Sequence, residues 1–235
     1  MQKIIQIALV TCTSLVLLQG CKREKIEENS STEEIVSSED LSRIQLTEEF
    51  VNMESLANKQ WMKFNNSIDA SDCNWKQGFY KEVSSGNFLG FKAYSTGSGD
   101  DGEYAFAGQN HFLLMSSISS WLVTPPLELK NGDMFSFYTR CDSKIIAPHA
   151  LELRLSMEEY PNAGSTPKDV GSFTQLLHTV NPHRSQDGYP STWEKIEVKI
   201  SGLTADVKGR IAFRFMSEGQ VNGGIGIDQF VYTSK

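Results

Sequence analysis

Side chains able to do chemistry are few and scattered in this chain of 235 residues. Its histidines, His111, His149, His178 and His183, form no H-E-x-x-H pair, and Pro182 interrupts the stretch between the last two. There is no G-x-S-x-G elbow, no phosphate-cradling glycine loop and no C-x-x-C. Glu158 and Glu159 are neighbours in a polar stretch, where adjacent side chains point apart. Glycoside cleavage takes two carboxylates facing one cleft from different strands. No enzymatic activity is therefore expected. Two chemistries remain: modification of a thiol at Cys21, and cation binding by the carboxylates of Asp228, Asp69 and Asp72.

Cys21 closes the run Leu17-Leu18-Gln19-Gly20-Cys21. Upstream, Lys3 and the α-amino group precede an apolar stretch from Ile4 to Leu18, about 15 residues against the roughly 20 that a spanning helix needs. That is the layout of a secretory signal peptide, residues 1–20. Its end resembles a bacterial lipobox, in which a peptidase cuts before the cysteine and the thiol carries a diacylglycerol; Gln19 departs from the small residue usual there. The alternative is an ordinary cleaved signal with an incidental cysteine. Acylation implies a covalent lipid on Cys21 and a lipid bilayer as partner. The location implied is the bacterial outer membrane or cell envelope, facing outward or the periplasm. Each buried methylene contributes about 0.8 kcal/mol and one acyl chain anchors only marginally, so two or three chains are needed for a lasting hold.

After the anchor, residues 21–46 are polar, rich in Ser and Glu and nearly free of aromatics, as in KREKIEENSSTEEIVSSEDLSRIQ. Such a segment buries too little apolar surface to fold alone and reads as a flexible tether. Its Lys22, Arg23 and Lys25 interrupt the acidic stretch that resembles a surface-export signal. The rest of the chain is hydrophobic enough for a large core, with 39% hydrophobic and 10% aromatic residues overall. A net charge of -7 and the lack of a later basic cluster exclude a nucleic-acid partner. Cys73 and Cys141 are the cysteines outside signal and anchor; export permits a disulfide between them, and two separate thiols is the other reading.

The elements that must position any site follow period two. Leu151, Leu153, Leu155 and Met157 alternate with Glu152, Arg154 and Ser156, and Ile196, Val198 and Ile200 with Lys195, Glu197 and Lys199. Ile211, Phe213 and Phe215 alternate with Arg210, Ala212 and Arg214, and Phe135, Phe137 and Thr139 share a face after the turn Asn131-Gly132-Asp133. A helical stripe is conceivable only over Thr47 to Lys59. Short strands between Gly, Pro and Asn turns imply an all-β sandwich, with alternation marking one wet face per sheet. The stretches Glu158–Val170 and Asn181–Thr192 read as long polar loops, solvated or used for binding.

Several blocks then resemble the choice-of-anchor J family, which is related to the cleaved adhesin domains of bacterial surface proteases and to MAM domains. They run in the family's order: Ser120 to Leu127, Asn131 to Asp133, Ser136 to Arg140, Leu151 to Ser156, Val170 to Leu177, Gly188 to Trp193, Ile200 to Leu203, Gly209 to Phe215 and Gly224 to Asp228. The resemblance covers residues 47–235 and implies a β-jelly-roll sandwich of the galactose-binding-like type. It also implies attachment by varied anchors, of which Cys21 is one. The function expected is a non-enzymatic, adhesin-like module that binds a glycan or surface protein; the alternative is an accessory subunit of an envelope or fimbria-like assembly. Tyr160, Tyr189 and Trp193 are the aromatics expected to stack on sugar.

Related jelly-rolls often hold a structural calcium, and some cleaved adhesin domains carry an Asp/Gly-rich loop between two tryptophans. The matching segment, Trp61 to Trp75, keeps Asp69 and Asp72 without the Gly-rich repetition and holds Cys73. Where the family often has an acid after its first-strand phenylalanine, this chain has Val51 after Phe50. Asp228 stands in the apolar run Ile225 to Phe230, where an ionised carboxylate must find partners. It reads either as a calcium ligand or as a carboxylate bonded to a nearby turn or an arginine.

Overall fold

A computed structural model describes residues 43–70, 72–84, 87–142 and 148–235. The signal, Cys21 and the tether up to residue 42 lie outside the described residues. Twelve strands are numbered in chain order: β1 (Ile44–Glu48), β2 (Met62–Asn65), β3 (Trp75–Gln77), β4 (Tyr80–Ser84), β5 (Asn87–Gly90), β6 (Ala105–Val123), β7 (Leu127–Leu129), β8 (Met134–Cys141), β9 (Ala150–Ser156), β10 (Gln175–Val180), β11 (Glu194–Lys199) and β12 (Val207–Thr233). β1 takes in Ile44 to Leu46, so the folded part begins within the segment expected to be tether. The stretch Thr47 to Lys59 yields only a 3-10 turn, Ser55–Lys59.

β6 and β12 organise the molecule. They pair antiparallel from Ala212 opposite Val123 to Ile227 opposite Ala105, with register slips between Gly219 and Gly223. On one side of the slips, β10, β9, β12, β6 and β2 form the first layer. On the other, β11 and β8 flank the second half of β12, which pairs in turn with the first half of β6 and, through it, β3. Past Asp228, β1 replaces β6 beside β12. The result is an all-β, antiparallel sandwich of jelly-roll type, in which both long strands serve both layers.

Alternation places the apolar side chains between those layers. Leu151, Leu153, Leu155, Ile211, Phe213 and Phe215 face Phe135, Phe137, Ile225, Ile227 and Phe230 in one core. Phe213 meets Phe137 edge-on at 5.1 Å between ring centroids and Phe230 at 5.6 Å. Burying each such side chain contributes about 1.5–3 kcal/mol. Cys73 and Cys141 are separately buried thiols, with no disulfide between them. The prolines Pro125 and Pro126 come one residue after the end of β6, as expected for residues that cannot donate to a ladder.

The outer faces differ from the expectation that they would be wet. Arg210 and Arg214 are only 4% and 3% exposed. Residues 157–174, which contain the stretch Glu158–Val170 read as a polar loop, lie over the first layer and bring Ala163, Val170 and Phe173 onto Trp121, Val123 and Ala212. The two arginines tie this cover down. Arg210 donates to the carbonyl oxygens of Glu159, Gln60 and Thr124. Arg214 donates to Glu152, Ser119 and the Pro167 carbonyl, with its guanidinium over the Trp121 ring. The second layer is covered too, where Phe79, Phe91, Ala93 and Tyr104 pack with Phe106 and Trp193.

Candidate binding site

The expected site residues do not come together. Asp69 and Asp72 are exposed, whereas Asp228 is 0% exposed. Its Oδ2 accepts the backbone N–H groups of Tyr94 and Ser95 at 3.0 and 3.2 Å, and its Oδ1 that of Gln229 at 2.7 Å. Burial pushes its pKa up to about 7, the three N–H donors pull it down, and the Glu49 charge adds to the rise. Of the two sequence readings, the carboxylate bonded to a turn is the one seen. Among the described residues no three His, Cys, Asp or Glu side chains gather to hold a metal. Both Asp228 oxygens already accept N–H groups, which compete with a cation for their lone pairs. The calcium expected at Asp228, Asp69 and Asp72 does not fit this arrangement.

The aromatic expectations divide. Tyr189 is 4% exposed and its hydroxyl is 2.7 Å from Thr139 Oγ1, so it belongs to the core and faces no ligand. Tyr160 is 82% exposed. Trp193 is half-buried in a cluster that sequence reasoning missed, on the outer face of the second layer.

That cluster is built on β12 and β8. Period two turns Ile225 and Ile227 inward, and therefore Gly226 and Asp228 outward, beside their cross-strand partners Arg140 and Tyr138. Gly226 lets rings lie close on the sheet: a Cβ there would sit 2.7 Å from Phe91 Cε2 and 3.0 Å from Trp193 Cη2. Phe91 stacks on Tyr104 at 4.7 Å and 22°, and Trp193 meets Phe91 edge-on at 5.6 Å. Arg140 lies over the other side of Phe91 at 4.6 Å and donates to the Ser191 and Cys141 carbonyls. Burial lowers its pKa, and nearby Asp142 opposes the shift.

From Phe91 the chain continues as a loop with several pins. Trp193 Nε1 donates to the Lys92 carbonyl at 2.8 Å, Ala93 N–H to the Asp101 carbonyl at 2.8 Å, and Asp228 takes the next two N–H groups. Glu103, 2% exposed, accepts the Ser98 N–H and hydroxyl, which lower its pKa. A cleft of ≈ 170 Å³ lined by Val51, Gln77, Ser98, Asp100 and Glu103 opens at that end of the loop.

The pins put the Tyr94 ring flat on Tyr138, with centroids 3.6 Å apart and planes at 13°. Face-to-face overlap sets two negative ring faces against each other and is less favoured than an offset or edge-on pair. The loop anchors therefore hold the rings together, rather than the reverse. Tyr94 stays 45% exposed with one face covered, which leaves its other face open to solvent. The result is a ledge of Tyr94 on Tyr138, with Trp193 edge-on to Tyr94 at 6.5 Å. Its flanking lysines are paired, Lys92 with Asp101 at 3.0 Å and Lys195 with Glu197 at 3.2 Å.

No family model and no curated protein matches the chain. Among solved structures, the K1 cleaved adhesin domain of Lys-gingipain from Porphyromonas gingivalis W83 is similar at 20% identity and a TM-score of 0.49, over 81% of this chain and 98% of that one. The K3 cleaved adhesin domain of the same protein gives 18% identity and a TM-score of 0.48, over 81% and 99%. A carbohydrate-binding module described for specific mannan recognition gives 11% identity and a TM-score of 0.40, over 82% and 98%.

Proposed function

We propose that this protein is a non-catalytic binding module of the bacterial cell envelope, held at the membrane by an acylated Cys21, whose Tyr94–Tyr138 ledge takes a glycan. The observation that supports this reading is the open ring face of Tyr94, fixed in position by Asp228 and backed by Tyr138. A sugar ring presents an apolar face of C–H groups. An immobilised aromatic face removes that surface from water and offers the negative side of its quadrupole to the C–H hydrogens. Because the loop is already pinned, little conformational freedom is lost when a ligand settles on it.

Residues 21–42 carry the polar, Ser- and Glu-rich composition of a tether. No helix of the described residues is long and apolar enough to cross a bilayer. The direct test is a glycan array probed with the full chain in detergent. Saturable binding to defined sugars, lost in Tyr94→Ala with the melting temperature unchanged, is the expected result. Absence of saturable binding to any sugar would overturn the reading.

A further inference from the structure

The charges around the ledge, taken with the reading that it holds a glycan, restrict what kind of sugar it accepts. We infer that the ledge selects a neutral pyranose and rejects uronic, sialylated or sulfated sugars. Only one ring face is open, because the other face of Tyr94 lies 3.6 Å from Tyr138. The ledge therefore stacks one sugar unit, and whatever stands around that unit decides specificity.

Each cation placed there by the described residues is already engaged. Lys92 is bridged to Asp101 and its ammonium sits 5.1 Å over the Tyr80 ring. Lys195, the cross-strand partner of Tyr138, is bridged to Glu197. Arg140 lies on Phe91, gives N–H groups to two carbonyls, and has Asp142 close enough to act on its charge. An acidic sugar would have to share a cation that already has a carboxylate or carbonyl partner.

The carboxylates of the same loop are engaged as well: Asp228 accepts the Tyr94, Ser95 and Gln229 N–H groups, Asp101 is bridged to Lys92, and Glu103 accepts from Ser98. Bringing a carboxylate or sulfate onto this surface desolvates its charge with no unengaged cation beside it among the described residues in return. A neutral sugar meets only the ring face and polar rim, so that cost does not arise.

The test uses the full chain in detergent and oligosaccharide pairs that differ only in oxidation at C6: glucose against glucuronate, and galactose against galacturonate. The expected result is Tyr94-dependent binding of the neutral member, with the acidic member weaker by about tenfold or more. Neutral binding is also expected to change less than about twofold between roughly 0.05 and 0.5 M salt, since no ion pair forms. Tyr94→Phe, which keeps the ring, should bind as the parent does, while Tyr94→Ala should not. If the acidic member binds as well or better, still depends on Tyr94 and weakens with salt, the selectivity is overturned while the glycan reading stands. If neither member of any pair binds through Tyr94, the glycan reading itself falls and the selectivity with it.

Discussion

Asp228 fixes where Tyr94 lies: its Oδ2 accepts the Tyr94 N–H at 3.0 Å, and its cross-strand neighbour Tyr138 supplies the ring beneath. One buried carboxylate thus joins the last strand of the fold to a loop 134 residues earlier. Replacing it by asparagine turns one acceptor oxygen into an N–H₂ donor. That donor must face either the Gln229 N–H or the Tyr94 and Ser95 N–H groups, and two donors repel.

Asp228→Asn should therefore loosen the loop without dissolving the sandwich. The expected loss is about 1–3 kcal/mol, the range for leaving buried polar groups unsatisfied. Hydrogen exchange at the Tyr94 and Ser95 amides reports it most directly. Faster exchange there, with the β9 and β12 amides still protected, is the predicted pattern; unchanged exchange at both amides would refute the anchor.

Gly226→Val tests the close approach of the rings to β12. The added side chain meets Phe91 and Trp193 where a Cβ alone would already be at 2.7 and 3.0 Å. Overpacking of this kind costs about 1–3 kcal/mol. A lower denaturant midpoint together with a changed near-ultraviolet dichroism of Trp193 is expected. An unchanged spectrum would mean that the rings do not rest on this glycine.

The first layer should be acid-sensitive through Glu152. Burial raises its pKa, but the Arg154 hydrogen bond and charge, joined by those of Arg214, outweigh this and hold it below the ordinary 4.5. The folded state thus binds its proton less readily than the unfolded chain does. The resulting stability is present above pH 4.5 and is lost as the pH falls through the folded value. Urea midpoints measured against pH should drop below about 4.5, and Glu152→Gln should flatten that drop. Arg214→Ala leaves Glu152 paired with Arg154 but removes the donor to Ser119 and to the Pro167 carbonyl, and should cost about 1–3 kcal/mol near neutral pH. Equal acid slopes for the parent and Glu152→Gln would show that another group governs the acid limb.

The anchor has its own test. Cells expressing the Cys21→Ala chain should fail to incorporate labelled palmitate into it, and the protein should leave the membrane fraction. Retention in that fraction with the cysteine gone would place the attachment elsewhere.

The sandwich was legible because its strands carry a strict period of two. Leu151, Leu153 and Leu155, or Phe135 and Phe137, need only a sheet to become a core face. The same period misled at Arg210 and Arg214: alternation tells which side of a sheet a residue takes, but not what covers that side. The cover was disguised by composition, since Ala163, Val170 and Phe173 are dispersed among polar residues. Tyr138 was readable as outward-facing from its position between Phe137 and Thr139. Tyr94 was not, because nothing local in AYSTGSGDDG orients it; its partners are Asp228 and Trp193, far along the chain. Tyr189, chosen from a polar proline-containing loop, turned inward to meet Thr139 instead.

The glycan reading is tested most directly by calorimetric titration of the full chain with a neutral oligosaccharide, alongside Tyr94→Ala and, as a control for exposed aromatics in general, Tyr160→Ala. Loss of a buried aromatic contact at a binding hot spot amounts to about 2 kcal/mol, roughly 30-fold in affinity. The ledge predicts that loss for Tyr94→Ala, with the melting temperature held and Tyr160→Ala indistinguishable from the parent. Undiminished binding by Tyr94→Ala would contradict it.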